Sequence, residues 1–380
     1  MKITYLIGNG FDISMGLNTS YSNFYDFIKE NKTQEEIEAN CLYRNINKNI
    51  DLWRDFEVSM GLYTFINSDE FNTKIENAEK KVKETMMTSK KEIFNSAEFD
   101  LSFDEFNNDF INYIESEEQK FINTFSENVG IKMINGLGDF SANLTNSWKK
   151  NINEVIEKID NTRNRALEID IINFNYTNTF ESTFKNQEKL LTYIKETFNH
   201  VWGTFNETIK LSTTHIHGEI QEGSAIGVND LTQINENTLG HDVAINYVKQ
   251  NIVNTYDIKR IDRTKNIINQ SDFIIFFGCS LGSTDKMWWE HVIKAMEFDR
   301  SKNIIIHDYD TKREQNPRIP KRFRQENDIT KNKLMQYSPF SDEYLVSNIK
   351  DRIYPILNGN LFSRSSLQVN PFPELKNILN

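Results

Sequence analysis

The sequence predicts an α/β protein: a mostly parallel sheet flanked by helices, with a large helical insertion after the first strand. Short runs rich in Ile, Phe and Thr alternate with segments of helical periodicity, the pattern of strands joined by covering helices. One run, Phe273–Phe277, is apolar at every position, as a central strand buried on both faces requires. Between the first run and the second, from about Lys32 to Ala166, there is no convincing strand and an abundance of Glu, Lys and Asn. A strand that starts almost at Met1 and runs straight into a glycine loop makes the sheet Rossmann-like, with ligands expected beyond the carboxyl ends of its strands.

Strands are expected, in order, at Ile3–Ile7, Ile169–Phe174, Leu211–His217, Ala225–Val228, Phe273–Phe277 and Asn303–His307, each β-branched or aromatic and bounded by turn residues. Helices are expected at Tyr21–Asn31, Val243–Val253, Ile258–Asn269 and Thr284–Phe298. Within the insertion, Phe99, Phe103, Phe106, Phe110 and Tyr113 recur at helical spacing and read as core. Lys80–Lys91 reads as the solvated face of a helix. The chain then divides into a nucleotide-binding α/β core (residues 1–31 plus 167–310), a helical insertion (32–166) and a polar C-terminal segment (311–380) of obscure role.

Net charge is −11, which argues against non-specific binding to DNA, RNA or anionic membrane, all of which require basic patches. Only Cys41 and Cys279 are present, too few for a disulfide framework or a four-cysteine zinc site. No apolar run approaches the roughly 20 residues needed to span a bilayer. Lys2 is followed by a short apolar-leaning run and then Gly8, which does not make a signal peptide. A cytoplasmic protein is expected.

Four segments carry candidate chemistry. After the first strand come Gly8-Asn9-Gly10-Phe11-Asp12 and then Gly16-Leu17. A dehydrogenase fingerprint would place its third glycine where Ile13 stands, so hydride transfer is a poor reading. Glycines at 8, 10 and 16 still let a backbone approach a nucleotide phosphate closely, and Thr19 or Ser20 can cap the helix starting near Tyr21. The second segment, Asn173–Thr179, crowds amides and hydroxyls onto a strand end. Asn175 reads as functional there, and Asn178 and Thr179 as a cap for the next helix.

The third segment is His215-Ile216-His217-Gly218. Strand alternation puts both imidazoles on one face. A metal pair is one reading, although no nearby Asp/His arrangement completes a ligand set and Glu219 is a weak third. The favoured reading makes His217 a general base. The fourth segment, Gly278-Cys279-Ser280-Leu281-Gly282-Ser283-Thr284-Asp285, matches a nucleophile elbow formally. A serine hydrolase would nevertheless have to draw its acid and base from the short remainder of the chain, where His291 and His307 lie, and would leave the first loop without a purpose.

Together Ile7–Asp12, Gly16–Tyr21, Trp53–Glu57, Asn173–Thr179, His215–Gly218 and Phe277–Asp285 resemble the AbiH family of bacterial abortive-infection proteins, and the likeness extends to about Asp310. The resemblance implies a role in defence against bacteriophage, in which the infected cell stops growing or dies. More broadly, the glycine loop, Asn175, His217-Gly218 and the Gly-x-Ser-Leu loop occur in the order seen in sirtuin-like domains. That similarity implies that Gly8 and Gly10 hold the NAD diphosphate and ribose, that Asn175 lies beside the nicotinamide ribose, and that His217 acts as base. Gly278, Ser280 and Asp285 would line the adenosine side. The binding set it implies is Gly8, Asn9, Gly10, Phe11, Asp12, Gly16, Thr19, Ser20, Tyr176, Gly278, Ser280 and Asp285, with His217 and Asn175 catalytic.

Two cysteines cannot build the four-cysteine zinc module of sirtuin deacylases, so water replaces an acyl-lysine peptide as the expected acceptor. Trp53, Asp55 and Glu57 have no sirtuin counterpart: they either reach over the site or form an ordinary helix start. The leading expectation is an NAD glycohydrolase with NAD as substrate. The alternatives are a non-catalytic nucleotide-sensing module acting through a partner, and a metal-dependent hydrolase using His215 and His217. A phage-derived trigger or partner protein and a homo-oligomer are compatible with the leading reading.

Overall fold

The computed structural model describes residues 1–48, 50–76, 93–124, 127–160, 166–183, 188–204, 206–220, 223–359 and 361–362. Six strands form one sheet: β1 (Lys2–Ile7), β2 (Ala166–Asn173), β3 (Thr208–His215), β4 (Phe273–Phe277), β5 (Asn303–Asp308) and β6 (Ile353–Leu357). All neighbours are parallel, in the order β3-β2-β1-β4-β5-β6. This is the doubly wound order, which reverses between β1 and β4 and so opens a crevice at the carboxyl ends of those strands.

The central strands are apolar on both faces because helices cover both. Ile3, Tyr5 and Ile7 of β1 join Phe273, Ile275 and Phe277 of β4 in a core closed by Met133, Leu137, Ile152, Ile156, Ile194 and Phe198. These come from the helices Glu127–Gly138, Asn146–Asp160 and Glu188–Trp202. Leu6, Ile274 and Phe276 face the other way, against Ile268, Trp289, Ile293 and Met296 of the helices Arg260–Gln270 and Lys286–Phe298.

Among the described residues between β1 and β2 there are helices and no strand. The aromatic stripe lies on the helix Ser96–Thr124, and Phe99, Phe103, Phe106, Phe110 and Tyr113 are all buried. They form a third core with Phe24, Tyr25 and Phe56, where the rings of Phe56 and Phe106 stack 3.7 Å apart. Val228, Tyr247 and Val248 from the loops after β3 complete that core.

Several sequence expectations are corrected. Ala225–Val228 is not a strand: its one ladder contact is a bridge from Val228 to Val248. The helix expected at Val243–Val253 is broken, with His241–Ala244 and Ile245–Tyr247 preceding an extended Val248 and then Lys249–Tyr256. Both departures have one cause. Val228 donates to Tyr247 and accepts from Lys249, and these two backbone bonds outweigh local helix propensity at Val248. β3 ends at His215 rather than His217. The C-terminal segment supplies the edge strand β6, which sequence reading missed because Pro355 interrupts it. An edge position tolerates a proline. The basic run Lys80–Lys91 lies outside the described residues.

The loops after β1 and β4 rest directly on each other. Gly8 N–H donates to Phe277 O at 3.0 Å, and Gly10 N–H donates to Gly278 O at 3.0 Å. A Cβ on Gly278 would stand 2.5 Å from Phe11 N, at a φ of +71°. Gly278→Ala is therefore expected to cost about 2–4 kcal/mol from strain and overpacking together. Gly16→Ala, at a φ of +100° with nothing within 4 Å, should lose only about 1 kcal/mol. Urea denaturation of the two variants checks the order; equal losses would remove the loop-contact explanation.

Candidate functional site

Register brings the chemistry-bearing loops to one level. Ile7 pairs with Asn173 and with Phe277, and Asn173 pairs with His215, so the chain leaves the sheet after each of these residues along one rim. A cleft of about 790 Å³, including its open mouth, lies between this rim and the aromatic core of the inserted helices. Gly8, Asn9, Asp12, Thr19, Asn175, Tyr176, His217, Gly278, Ser280 and Asp285 line it.

Four residues of the expected set do not line the cleft. Gly10 packs on Gly278. Phe11 turns into the sheet core, edge-on to Phe362 at 5.2 Å. Gly16 is the left-handed cap that ends the helix Asn9–Met15. Ser20 caps the helix Tyr21–Asn31, accepting from Asn23 N–H at 3.2 Å. The amides of Gly8, Gly10 and Phe11 are taken by Phe277 O, Gly278 O and Gly8 O respectively, so these glycines serve loop-on-loop contact.

Asn175 is held on three sides. Its N–H donates to Asn173 Oδ1 at 2.9 Å, its Nδ2 donates to Gly8 O at 3.2 Å, and its carbonyl meets His215 Nδ1 at 2.9 Å. Asn178 occupies the cap position before the short helix Thr179–Ser182 but makes no side-chain cap bond; the side chain that builds this turn is Asn173. Asn9 and Thr19 hydrogen-bond each other. Tyr176 Oη donates to Ala225 O at 3.2 Å, and Thr177 Oγ1 donates to Asp12 Oδ2 at 2.7 Å.

His215 and His217 do not act as a pair. Because β3 ends at His215, alternation stops there, and the two rings take different partners: His215 Nε2 lies 2.9 Å from Glu181 Oε1, and His217 Nε2 lies 2.9 Å from Asp285 Oδ1. The second contact is an ion-pair distance without the direction of a hydrogen bond. Gly218, at a φ of +83°, turns the chain so tightly that a Cβ would fall 1.9 Å from Gly223 O. His217 also faces the Phe174 ring edge-on at 5.5 Å. Among the described residues no group of three or more His, Cys, Asp or Glu is arranged to hold a metal ion. In the elbow-like loop Ser280 is exposed, while His291 Nε2 meets Lys265 O at 3.2 Å and both ring nitrogens of His307 are buried without a hydrogen-bond partner.

Sequence reading missed Lys249 and left Glu57 open between reaching over the site and forming an ordinary helix start. Lys249 Nζ lies 2.7 Å from Glu57 Oε2 and 2.9 Å from Asp285 Oδ1, so Glu57, Lys249, Asp285 and His217 form a continuous chain of polar contacts on the cleft wall. The motif around Trp53 divides accordingly. Trp53 is core, Asp55 caps the helix Phe56–Tyr63, and Glu57 reaches the cleft. No local signal marks Lys249, since only the Val228–Val248 bridge aims it inward.

Burial sets most of the electrostatics. It pushes His217 below the usual histidine range, Lys249 adds to that effect, and Asp285 opposes both. Burial would raise Asp285, but Lys249 and His217 outweigh it and hold its carboxyl well below the ordinary range. Lys249 is raised, because Asp285 and Glu57 overcome the cost of its burial. Glu57 is pushed up by burial against the pull of Lys249.

Asp12 is raised by burial from 3.8 to about 7, with the Thr177 and Thr179 hydroxyls opposing the shift. A carboxyl that binds its proton more tightly when folded loses stability as pH rises from its unfolded value to its folded one. Asp12→Asn removes that loss, so its advantage over wild type should grow between pH 4 and pH 7, on the order of 4 kcal/mol at most. Urea titrations across that window check it. A constant gap would show that Asp12 is ionised throughout.

A family model described as bacteriophage abortive infection AbiH matches residues 4–307. The chain belongs to the AbiH family. The matched span runs from β1 into β5 and contains every residue that lines the cleft. Membership in AbiH supports a role in anti-phage abortive infection. No curated protein matches the chain. Among the described residues of this AbiH protein, no helix is long and apolar enough to cross a membrane.

Proposed function

We propose that this AbiH protein acts in abortive infection by hydrolysing NAD at the nicotinamide–ribose bond. The observation that carries the reading is His217, a buried imidazole kept neutral on the cleft wall beside an ionised Asp285, at the switch point of a doubly wound sheet. Cleavage breaks the ribose–nitrogen bond, and nicotinamide departs neutral with the bonding pair. Water forms the new carbon–oxygen bond and passes its proton to His217. Asn175, locked by Asn173, Gly8 and His215, offers its remaining amide hydrogen to the ribose or the attacking water. The buried partition of Glu57 and Lys249 keeps His217 and Asp285 in register. With the Gly8, Gly10 and Phe11 amides committed, the diphosphate is assigned no contact to them.

Purified full-length protein incubated with NAD should release nicotinamide, measured by chromatography with and without extract of phage-infected cells. Tight NAD binding without release under either condition would replace this reading with a nucleotide sensor.

A further inference from the structure

We infer that His215 is a positioning residue, held as an imidazolium between the Asn175 carbonyl and the Glu181 carboxylate, whose proton keeps Asn175 in place at the cleft. A neutral imidazole has one N–H and one lone pair. His215 presents Nδ1 to Asn175 O at 2.9 Å and Nε2 to Glu181 Oε1 at 2.9 Å. The carbonyl can only accept, and so can the carboxylate when ionised, so both contacts are hydrogen bonds only when both ring nitrogens carry hydrogen. His215 is buried, which leaves little water to stand in for a lost partner. Asn173 Nδ2 stands 3.4 Å from Nε2, too far to displace Glu181.

The surrounding charges favour the cation. Glu181 faces the ring from the helix Thr179–Ser182 and Glu219 from the loop after β3; Asp12, on the helix Asn9–Met15, also faces it and adds its charge only as it ionises, around pH 7. Arg260, on the helix Arg260–Gln270, is the opposing charge, and its Nη1 donates to His215's own carbonyl at 3.1 Å. Burial would lower the ring's affinity for its second proton, but the bond to Glu181 and its charge outweigh burial and raise it. Two residues apart, His217 is shifted the opposite way. Environments that separate two titratable groups in this manner assign them different tasks. His217 is the neutral base and His215 the charged support.

Losing that proton leaves His215 able to serve Asn175 or Glu181 but not both. The support is therefore present at low pH and lost as pH rises through the raised value. The effect on rate rests on the cleavage proposed above; the protonation itself does not.

Two measurements separate these. Nitrogen-15 spectra of the histidine rings, assigned with His215→Gln, should show both His215 nitrogens protonated near neutral pH, and Glu181→Gln should move that titration to lower pH. In kinetics, Glu181→Gln should shift the alkaline limb of nicotinamide release the same way. His215→Gln should abolish that limb and lower kcat on the order of tenfold to a hundredfold, with KM for NAD nearly unchanged. A singly protonated His215 near neutral pH, or a titration indifferent to Glu181→Gln, overturns the inference. Failure of wild type to release nicotinamide overturns the cleavage reading, while the ring spectra still decide this one.

Discussion

His217→Ala is expected to lower nicotinamide release by about 10²–10⁴-fold, the usual contribution of a positioned general base. The ring is buried, kept neutral by burial and Lys249, and lies 2.9 Å from Asp285. Asp285 is held well below the ordinary carboxylate range and is too weak a base to substitute. Truncation also opens a cavity, and His217→Gln separates the two effects by keeping most of the volume and a polar end while being unable to accept the proton. Both variants should lose activity, and His217→Gln should keep a melting temperature near that of wild type. Phage protection in cells should fall with the enzymatic rate. Full activity in His217→Gln would remove His217 as the base, whatever became of the alanine variant.

Lys249→Met should be the most destabilising single change in the cleft wall, at about 3–5 kcal/mol. Lys249 is buried and lies within 2.7 Å of Glu57 and 2.9 Å of Asp285, so its removal leaves a buried and a half-buried carboxylate without that cation. The sign of the pH effect follows. In wild type the depressed Asp285 contributes stability above the ordinary carboxylate range, lost as pH falls through its depressed value. The raised Lys249 contributes below the ordinary lysine value, lost as pH rises through its raised one. Without Lys249 both carboxyls bind protons more tightly folded than unfolded, so the variant should recover stability as pH falls from neutral towards 4. Adding Glu57→Gln and Asp285→Asn to Lys249→Met should restore part of the loss at neutral pH. Urea denaturation at several pH values checks both; a loss independent of pH would point to packing rather than charge.

Legibility in the sequence followed the range of the forces involved. Phe273–Phe277 is apolar at every position, as a strand buried between two helical layers requires, so the centre of the sheet was readable. The aromatic spacing from Phe99 to Tyr113 likewise announced a buried helix face. The loop after β1 was readable as a glycine turn, yet the demand for glycine comes from Gly278, far along the chain. β6 escaped because a proline that an edge position tolerates looks, from sequence, like a break. Val243–Val253 misled because helical periodicity continues through Val248, where two backbone bonds to Val228 impose an extended residue instead.

The sequence by itself determined the α/β class, the central strands, the helical character of the insertion, and the segments that end at the rim: Gly8–Asp12, Asn173–Thr179, His215–Gly218 and Gly278–Asp285. Periodicity, glycine placement and polar clustering are local properties, and each survives in a one-dimensional reading. Only the tertiary structure decided which groups meet. It seated Asp285 against His217, bound Lys249 between Glu57 and Asp285, and gave His215 to Asn175 and Glu181 instead of to His217. These contacts join residues tens to nearly two hundred positions apart, and the register of parallel strands and one bridge between loops bring them together. Proton affinities follow burial and neighbouring charge, so two histidines two residues apart, alike in sequence, end shifted in opposite directions.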